Sequence, residues 1–151
     1  MSKEVSFIAI AVVALAAVAI LMFHPAPAKS SLPVTATFAG VSLRIELATT
    51  TDTQEKGLGG RENVLDDYGM LFVFDKSARY GFWMKDMLVP IDIFWLGEDR
   101  RVVSFISNVA TSTYPNVFYP PSPATYVLET RAGFASAHRI ATGTPLLLQN
   151  R

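Results

Sequence analysis

Two regimes of hydrophobic patterning divide the chain. Val5 to Phe23 (VSFIAIAVVALAAVAILMF) is nineteen residues long with one polar residue, Ser6. From Val34 onward, apolar positions come in short alternating or continuous runs punctuated by Gly, Pro, Asn and Asp, the spacing of β-strands. Val34 to Phe38 is short and β-branched, and Ala39-Gly40 turns the chain. Val41 to Ala48 then alternates, with Val41, Leu43, Ile45 and Leu47 on one face and Ser42, Arg44, Glu46 and Ala48 on the other. The pattern predicts a half-buried hairpin strand whose Arg44 and Glu46 form a solvated face.

Thr50 to Leu58 predicts a short helix, with Thr51 and Gln54 spaced as a capping box and Gly57, Gly59 and Gly60 ending it. Arg61 to Asp67 is a polar connector. Gly69 to Phe74 is a continuous apolar run, as for a strand buried on both faces. Asp75 to Arg79 predicts a turn, and Tyr80 to Lys85 a returning strand with Tyr80, Phe82 and Met84 opposite Gly81, Trp83 and Lys85. Ile91 to Leu96, Val102 to Ser107, Thr125 to Thr130 and Leu146 to Gln149 complete about eight strands. Thr111 to Ser122, with Pro115, Pro120 and Pro121 among Tyr114, Phe118 and Tyr119, predicts a long loop with aromatic plugs. Ala132 to Arg139 predicts a second short helix. Strands without βαβ alternation imply a mainly β fold, an antiparallel β-sandwich or jelly-roll-like barrel with one or two short helices.

The N-terminal run changes the picture from a free domain to a leashed one. As a helix it spans roughly 28 Å, close to the bilayer's hydrocarbon core of about 30 Å. A cleaved signal peptide is the runner-up, since Ala26-Pro27-Ala28 resembles a cleavage site, but its apolar region usually runs about 7–15 residues. The expected organisation is a cytoplasmic N-terminus at 1–4, a transmembrane anchor at 5–23, a Pro/Ala-rich tether at 24–33 and an extracytoplasmic β domain at 34–151. The domain is thus expected at the cell membrane, facing outside the cytoplasm. With Lys3, Lys29 and Glu4 set aside, eleven Lys and Arg stand against twelve Asp and Glu. No basic stripe for a phosphate backbone is present, so no nucleic-acid partner is expected. The absence of cysteine removes disulfides, thiolate metal sites and a cysteine nucleophile.

Candidate chemistry concentrates between Gly69 and Leu96, which hold seven of the seventeen aromatic residues and both tryptophans. Lys85, Asp86 and Asp92 fall there among bulky apolar neighbours, where an ion needs a partner or solvent. The ordered set Gly57-Leu58…Arg61, Gly69-Met70-Leu71-Phe72, Phe82-Trp83-Met84-Lys85, Pro90-Ile91-Asp92, Val127-Leu128-Glu129 and Gly133 resembles the domain of unknown function 192 family over roughly Thr35 to Gln149. That resemblance implies a small, often exported or membrane-anchored prokaryotic domain with a compact β-sandwich. It implies no reaction, cofactor or ligand. Asp86-Met87 stand where the family's pattern usually continues asparagine-threonine, and Thr144 where an aspartate is common. The loop after the Val102 strand lacks the cysteine pair many members carry.

A hydrolase reading would use a carboxylate pair from Asp92, Glu129, Asp86 and Glu62, but no nucleophile elbow or histidine cluster accompanies them. Met70, Met84 and Met87 are soft copper ligands in principle, yet methionine beside aromatics is far more often core. Neither catalytic residue, metal ligand nor cofactor is therefore assigned. The expected role is a non-catalytic module for a small ligand, glycan or protein partner, with Arg61, Trp83, Lys85, Asp86, Asp92 and Glu129 as the candidate binding cluster. In that cluster Arg61 and Lys85 ground carboxylates of a ligand or of Asp92 and Glu129, and Trp83 stacks. The alternative is an assembly factor acting through a free sheet edge. Tryptophans exposed in a concavity would favour a ligand site; buried tryptophans with a free edge would favour assembly.

Overall fold

The computed structural model describes residues 34–149; the expected anchor and tether lie outside them. Among the described residues no helix is long and apolar enough to cross a membrane. The fold is mainly β, a curled seven-stranded sheet with two short helices. Its strands are β1 (Val34–Phe38), β2 (Val41–Ala48), β3 (Tyr68–Ala78), β5 (Ile91–Leu96), β6 (Val102–Val109), β8 (Ala124–Arg131) and β9 (Leu146–Leu148), in the order β6-β5-β8-β3-β2-β1-β9. A separate pair, β4 (Phe82–Trp83) and β7 (Val117–Phe118), lies apart from this sheet. The helices are α1 (Thr51–Lys56) and α2 (Phe134–Ala137).

Curling follows from how the two edges meet. Val102 donates its N–H to Thr144 O at 3.0 Å and Leu146 donates to Arg100 O at 2.9 Å, so the β6 edge reaches the β9 end. One core cluster draws from every strand of the sheet, as an interior must: Ala36, Leu43, Leu71, Phe94, Val102, Leu128 and Leu146 belong to it. α2 plugs this interior with Phe134, stacked on Phe38 at 5.9 Å and edge-on to Phe94 at 6.4 Å. The second cluster covers the outer face and includes Met70, Phe72, Phe82, Met84, Ile93, Trp95 and Val127. Met70, Met84 and Met87 are thus core, filling gaps between rings.

The expected antiparallel sandwich differs from this in two ways. One seven-stranded sheet carries a core on each side, and the second sheet is only the two-stranded β4–β7 pair. β2 and β3 are parallel, pairing Arg44 with Tyr68 through Ala48 with Phe72, while the other pairs of the sheet are antiparallel. The connection 49–67 makes this possible, because α1 and its glycine turn carry the chain back across the outer face.

Three local expectations are corrected. The capping box of α1 is Thr50 with Thr53, not Thr51 with Gln54: Thr50 Oγ1 accepts from Thr53 N at 3.3 Å and Thr50 N donates to Thr53 Oγ1 at 3.0 Å. Gln54 instead donates to Ala48 O and Val73 O at 3.2 and 2.9 Å, pinning the helix to the end of β2 and the middle of β3. Strand β3 runs on to Ala78 through the expected turn, and the expected Tyr80–Lys85 strand is extended only at Phe82–Trp83. That segment leaves the sheet because Phe82 inserts edge-on against Phe72 at 4.9 Å and Trp95 at 6.1 Å. Trp95 Nε1 donates to Tyr80 O at 2.9 Å and fixes its entry.

Candidate functional site

Alternation along β8 sends Leu128 and Thr130 inward and Val127 and Glu129 outward. Glu129 lies beside Met70 on β3 and Ile93 on β5 in the sheet register, and Glu46 of β2 continues the same row. Above it the glycine turn after α1 comes down. Gly57 adopts φ +50, and a Cβ built there would lie 3.7 Å from Glu129 Oε2 and 3.4 Å from Phe72. Glu129 is 4 % exposed, and its Oε2 has no hydrogen-bond partner. Burial pushes its carboxyl up to about 8, with the Arg61 charge opposing.

The carboxyl forms part of the lining of a cavity of about 240 Å³ between α1 and the Tyr80–Met87 segment. Its aromatic walls are Phe72, Phe74, Tyr80, Phe82 and Trp83, and Lys56, Lys85 and Glu55 bring charge from solvent-exposed positions. Phe74 and Tyr80 stack at 3.6 Å, which holds that wall. Trp83 is 49 % exposed and meets Tyr114 at 6.3 Å in an edge arrangement, whereas Trp95 is buried at 1 %. The tryptophans have therefore split, one to the cavity and one to the core. Gly81 is needed beside Trp83, because a Cβ there would come within 2.6 Å of both Val117 and Tyr119 of the proline-rich loop.

Of the six residues expected to cluster, Trp83, Lys85 and Glu129 share this cavity. The other three do not join it. Asp92 pairs with Thr130 in the sheet register and so faces the interior, opposite to Glu129. Its Oδ1 accepts from Asn108 N at 2.7 Å and Gly133 N at 3.1 Å, and its Oδ2 from Ala135 N at 2.7 Å. Asp92 thus seats α2, and neither Arg61 nor Lys85 grounds it. Arg61 is engaged elsewhere, donating to both carboxylate oxygens of Glu46 at 2.9 Å and to Tyr68 Oη at 2.9 Å. Tyr68 Oη also donates to Glu46 Oε2 at 2.6 Å. Burial opposes ionisation of Glu46, but these donors hold it below its ordinary range; burial and the Glu46 bond raise Tyr68. Asp86 sits at φ +57 in an exposed turn, where its carbonyl accepts from Gly60 N at 2.8 Å. Glu62, considered for a carboxylate pair, is exposed.

Sequence reasoning missed α1 as a wall and with it Lys56 and Gly57, and it missed Tyr80 on the facing segment. Gly57 carried a signal, since a glycine ending a helix just before a buried leucine marks a close approach.

The comparisons with known proteins bear on the domain as a whole. No curated protein matches the chain. A solved structure from Sinorhizobium meliloti 1021, described as a proposed transcription regulator, is similar at TM-score 0.70 and 27% identity, covering 76% of this chain and 91% of that one. A protein of unknown function from Novosphingobium aromaticivorans DSM 12444 is similar at TM-score 0.69 and 33% identity, covering 82% of this chain and 89% of that one. The DUF192 family model, described as Uncharacterized ACR, matches residues 34–148, so the chain belongs to the DUF192 family.

Proposed function

We propose that this domain is a non-catalytic binding module for a small ligand, held outside the cytoplasm at the membrane surface by the Val5–Phe23 segment and the 24–33 tether. The observation that carries the reading is Glu129, buried with an unpartnered oxygen in an aromatic-walled cavity beside the exposed Trp83. A buried polar group without a partner costs roughly 1–3 kcal/mol, which a complementary ligand would recover. Apolar walls with a few convergent polar groups are the usual make-up of a small-molecule site. The hydrolase reading loses its support because Asp92 and Glu129 lie on opposite faces of the sheet. The edge-addition reading is weakened where β6 and β9 close on each other. The regulator description of the Sinorhizobium relative finds no support in the charge balance from Ser31 onward, which lacks a basic excess.

The test uses the full chain in lipid nanodiscs, labelled with 5-fluorotryptophan to give one signal each for Trp83 and Trp95. A library of small apolar and polar compounds should contain members that move the Trp83 signal and raise the melting temperature, as binding to the folded state requires. A library that leaves Trp83 unmoved throughout would sink the reading.

A further inference from the structure

The chemistry of the cavity narrows the ligand, and this step rests on reading the cavity as a ligand site. Its volume of about 240 Å³ exceeds the roughly 150 Å³ that accommodates one benzene ring in an engineered core. One ring with a short arm therefore fits. The rings of Phe72, Phe74, Tyr80, Phe82 and Trp83 favour an apolar or aromatic body. The charges decide the two ends. Lys56 and Lys85 line the cavity against a single exposed carboxylate, Glu55, and the Arg61 guanidinium acts on Glu129. A cationic ligand would meet the two lysines, with the Arg61 charge behind Glu129, and would also require Glu129 to ionise where it is most desolvated. An acceptor meets neither obstacle.

We infer that the cavity takes a compound with a carbonyl acceptor at its buried end, a ring-sized apolar body, and a negative charge at its outer end. Glu129 donates its carboxyl hydrogen to the carbonyl, the rings hold the body, and Lys56 and Lys85 face the anion. The groups around Glu129 can be taken element by element. Lys56 and Glu55 come from α1, Arg61 from the connector after it, and Tyr80 and Lys85 from the segment before β5. Met70 of β3 and Ile93 of β5, its register partners, are apolar; Glu46 of β2 is bound to Arg61. Burial raises Glu129 to about 8, so the donor form prevails at neutral pH and disappears above it.

Three probes that share one phenyl ring separate the possibilities: 4-acetylphenylacetate, 4-methylacetophenone and phenethylamine. Titrated against the fluorotryptophan-labelled chain, with buried Trp95 as reference, the first should bind tightest, the second more weakly and the amine weakest. The affinity of 4-acetylphenylacetate should fall about tenfold between pH 7 and pH 9, because only the protonated fraction of Glu129 is competent. Glu129→Gln keeps an N–H donor, so it should still bind and its affinity should be level across that range. Replacing both rim lysines by glutamine should erase the advantage of the acid over the neutral ketone. Tightest binding by phenethylamine, affinity that rises toward pH 9, or a pH profile that survives in Glu129→Gln would each overturn the inference. Silence from all three probes while library compounds of other chemistry move Trp83 would overturn it and leave the binding-module reading standing. Silence from the probes and the library together would remove both.

Discussion

Below about pH 4.5 a glutamate carries its proton whether or not the chain is folded, but from there to about 8 only the folded Glu129 does. The folded state therefore binds the extra proton, and linkage makes the unfolding free energy fall as pH rises across that window. The contribution is fully present below pH 4.5 and is lost as pH passes through 8, with a slope of at most about 1.4 kcal/mol per unit. Glu46 and Asp67 are shifted the opposite way, so their contributions disappear only at acid pH and leave this window clean. Denaturant midpoints should drop from pH 5 to pH 8 in the parent chain and much less in Glu129→Gln; equal slopes would show that Glu129 is ionised when folded. Asp92 behaves differently, since its oxygens satisfy three backbone N–H groups, two at the start of α2 and one on β6. Asp92→Ala should cost about 3–5 kcal/mol by unfolding midpoint, because each orphaned donor costs roughly 1–3 kcal/mol. Both carboxylates stood in the candidate cluster read from the sequence, Asp92 as an ion among bulky neighbours and Glu129 within the Val127-Leu128-Glu129 run. Their opposite facing was not legible there, because it depends on Ile93, rather than Asp92, standing across from Glu129 in the register of β5 and β8.

At the scale of elements, strict alternation made β2 legible to the residue, since its apolar set has only one face it can bury. The run Gly69–Phe74 was legible as buried strand for the opposite reason, having apolar residues on both sides. The Tyr80–Met87 segment was not, because its alternation describes faces and not neighbours. Phe82 and Met84 point to core and Trp83 and Lys85 to solvent, yet the core is the outer face of another strand set. Helix α1 has no buried residue, and so little intrinsic hold beyond its cap and the two bonds from Gln54. Thr50→Ala should cost about 1 kcal/mol, the usual value of an N-cap. Gln54→Ala should be felt as loosening of the cavity wall: amide exchange of Thr53 to Gly57 should accelerate while Ile93 and Leu128 stay protected. If those core amides accelerated equally, α1 would be an integral part of the global folding unit and not a locally attached wall.

For the whole molecule, one sheet carries two cores, and the same strands β3, β5 and β8 supply both. Nothing in the sequence reveals this, because a two-faced strand in a curled sheet and one in a sandwich share the same apolar run. The parallel pairing of β2 with β3 was equally hidden, since it is decided by where the nineteen-residue connection 49–67 lands and not by either strand's pattern. The arrangement does fix how the domain should unfold. The interior cannot be emptied without removing the face on which Trp95 packs, and Trp95 sits against Phe82 in the outer layer. Unfolding should therefore be a single cooperative transition. In a Trp83→Phe background the fluorescence of Trp95 reports the outer core and far-ultraviolet circular dichroism reports the strands. The two midpoints should coincide in urea. An earlier fluorescence transition would mean that the Tyr80–Met87 layer peels from an intact curled sheet, and the cavity it walls would then open without global unfolding.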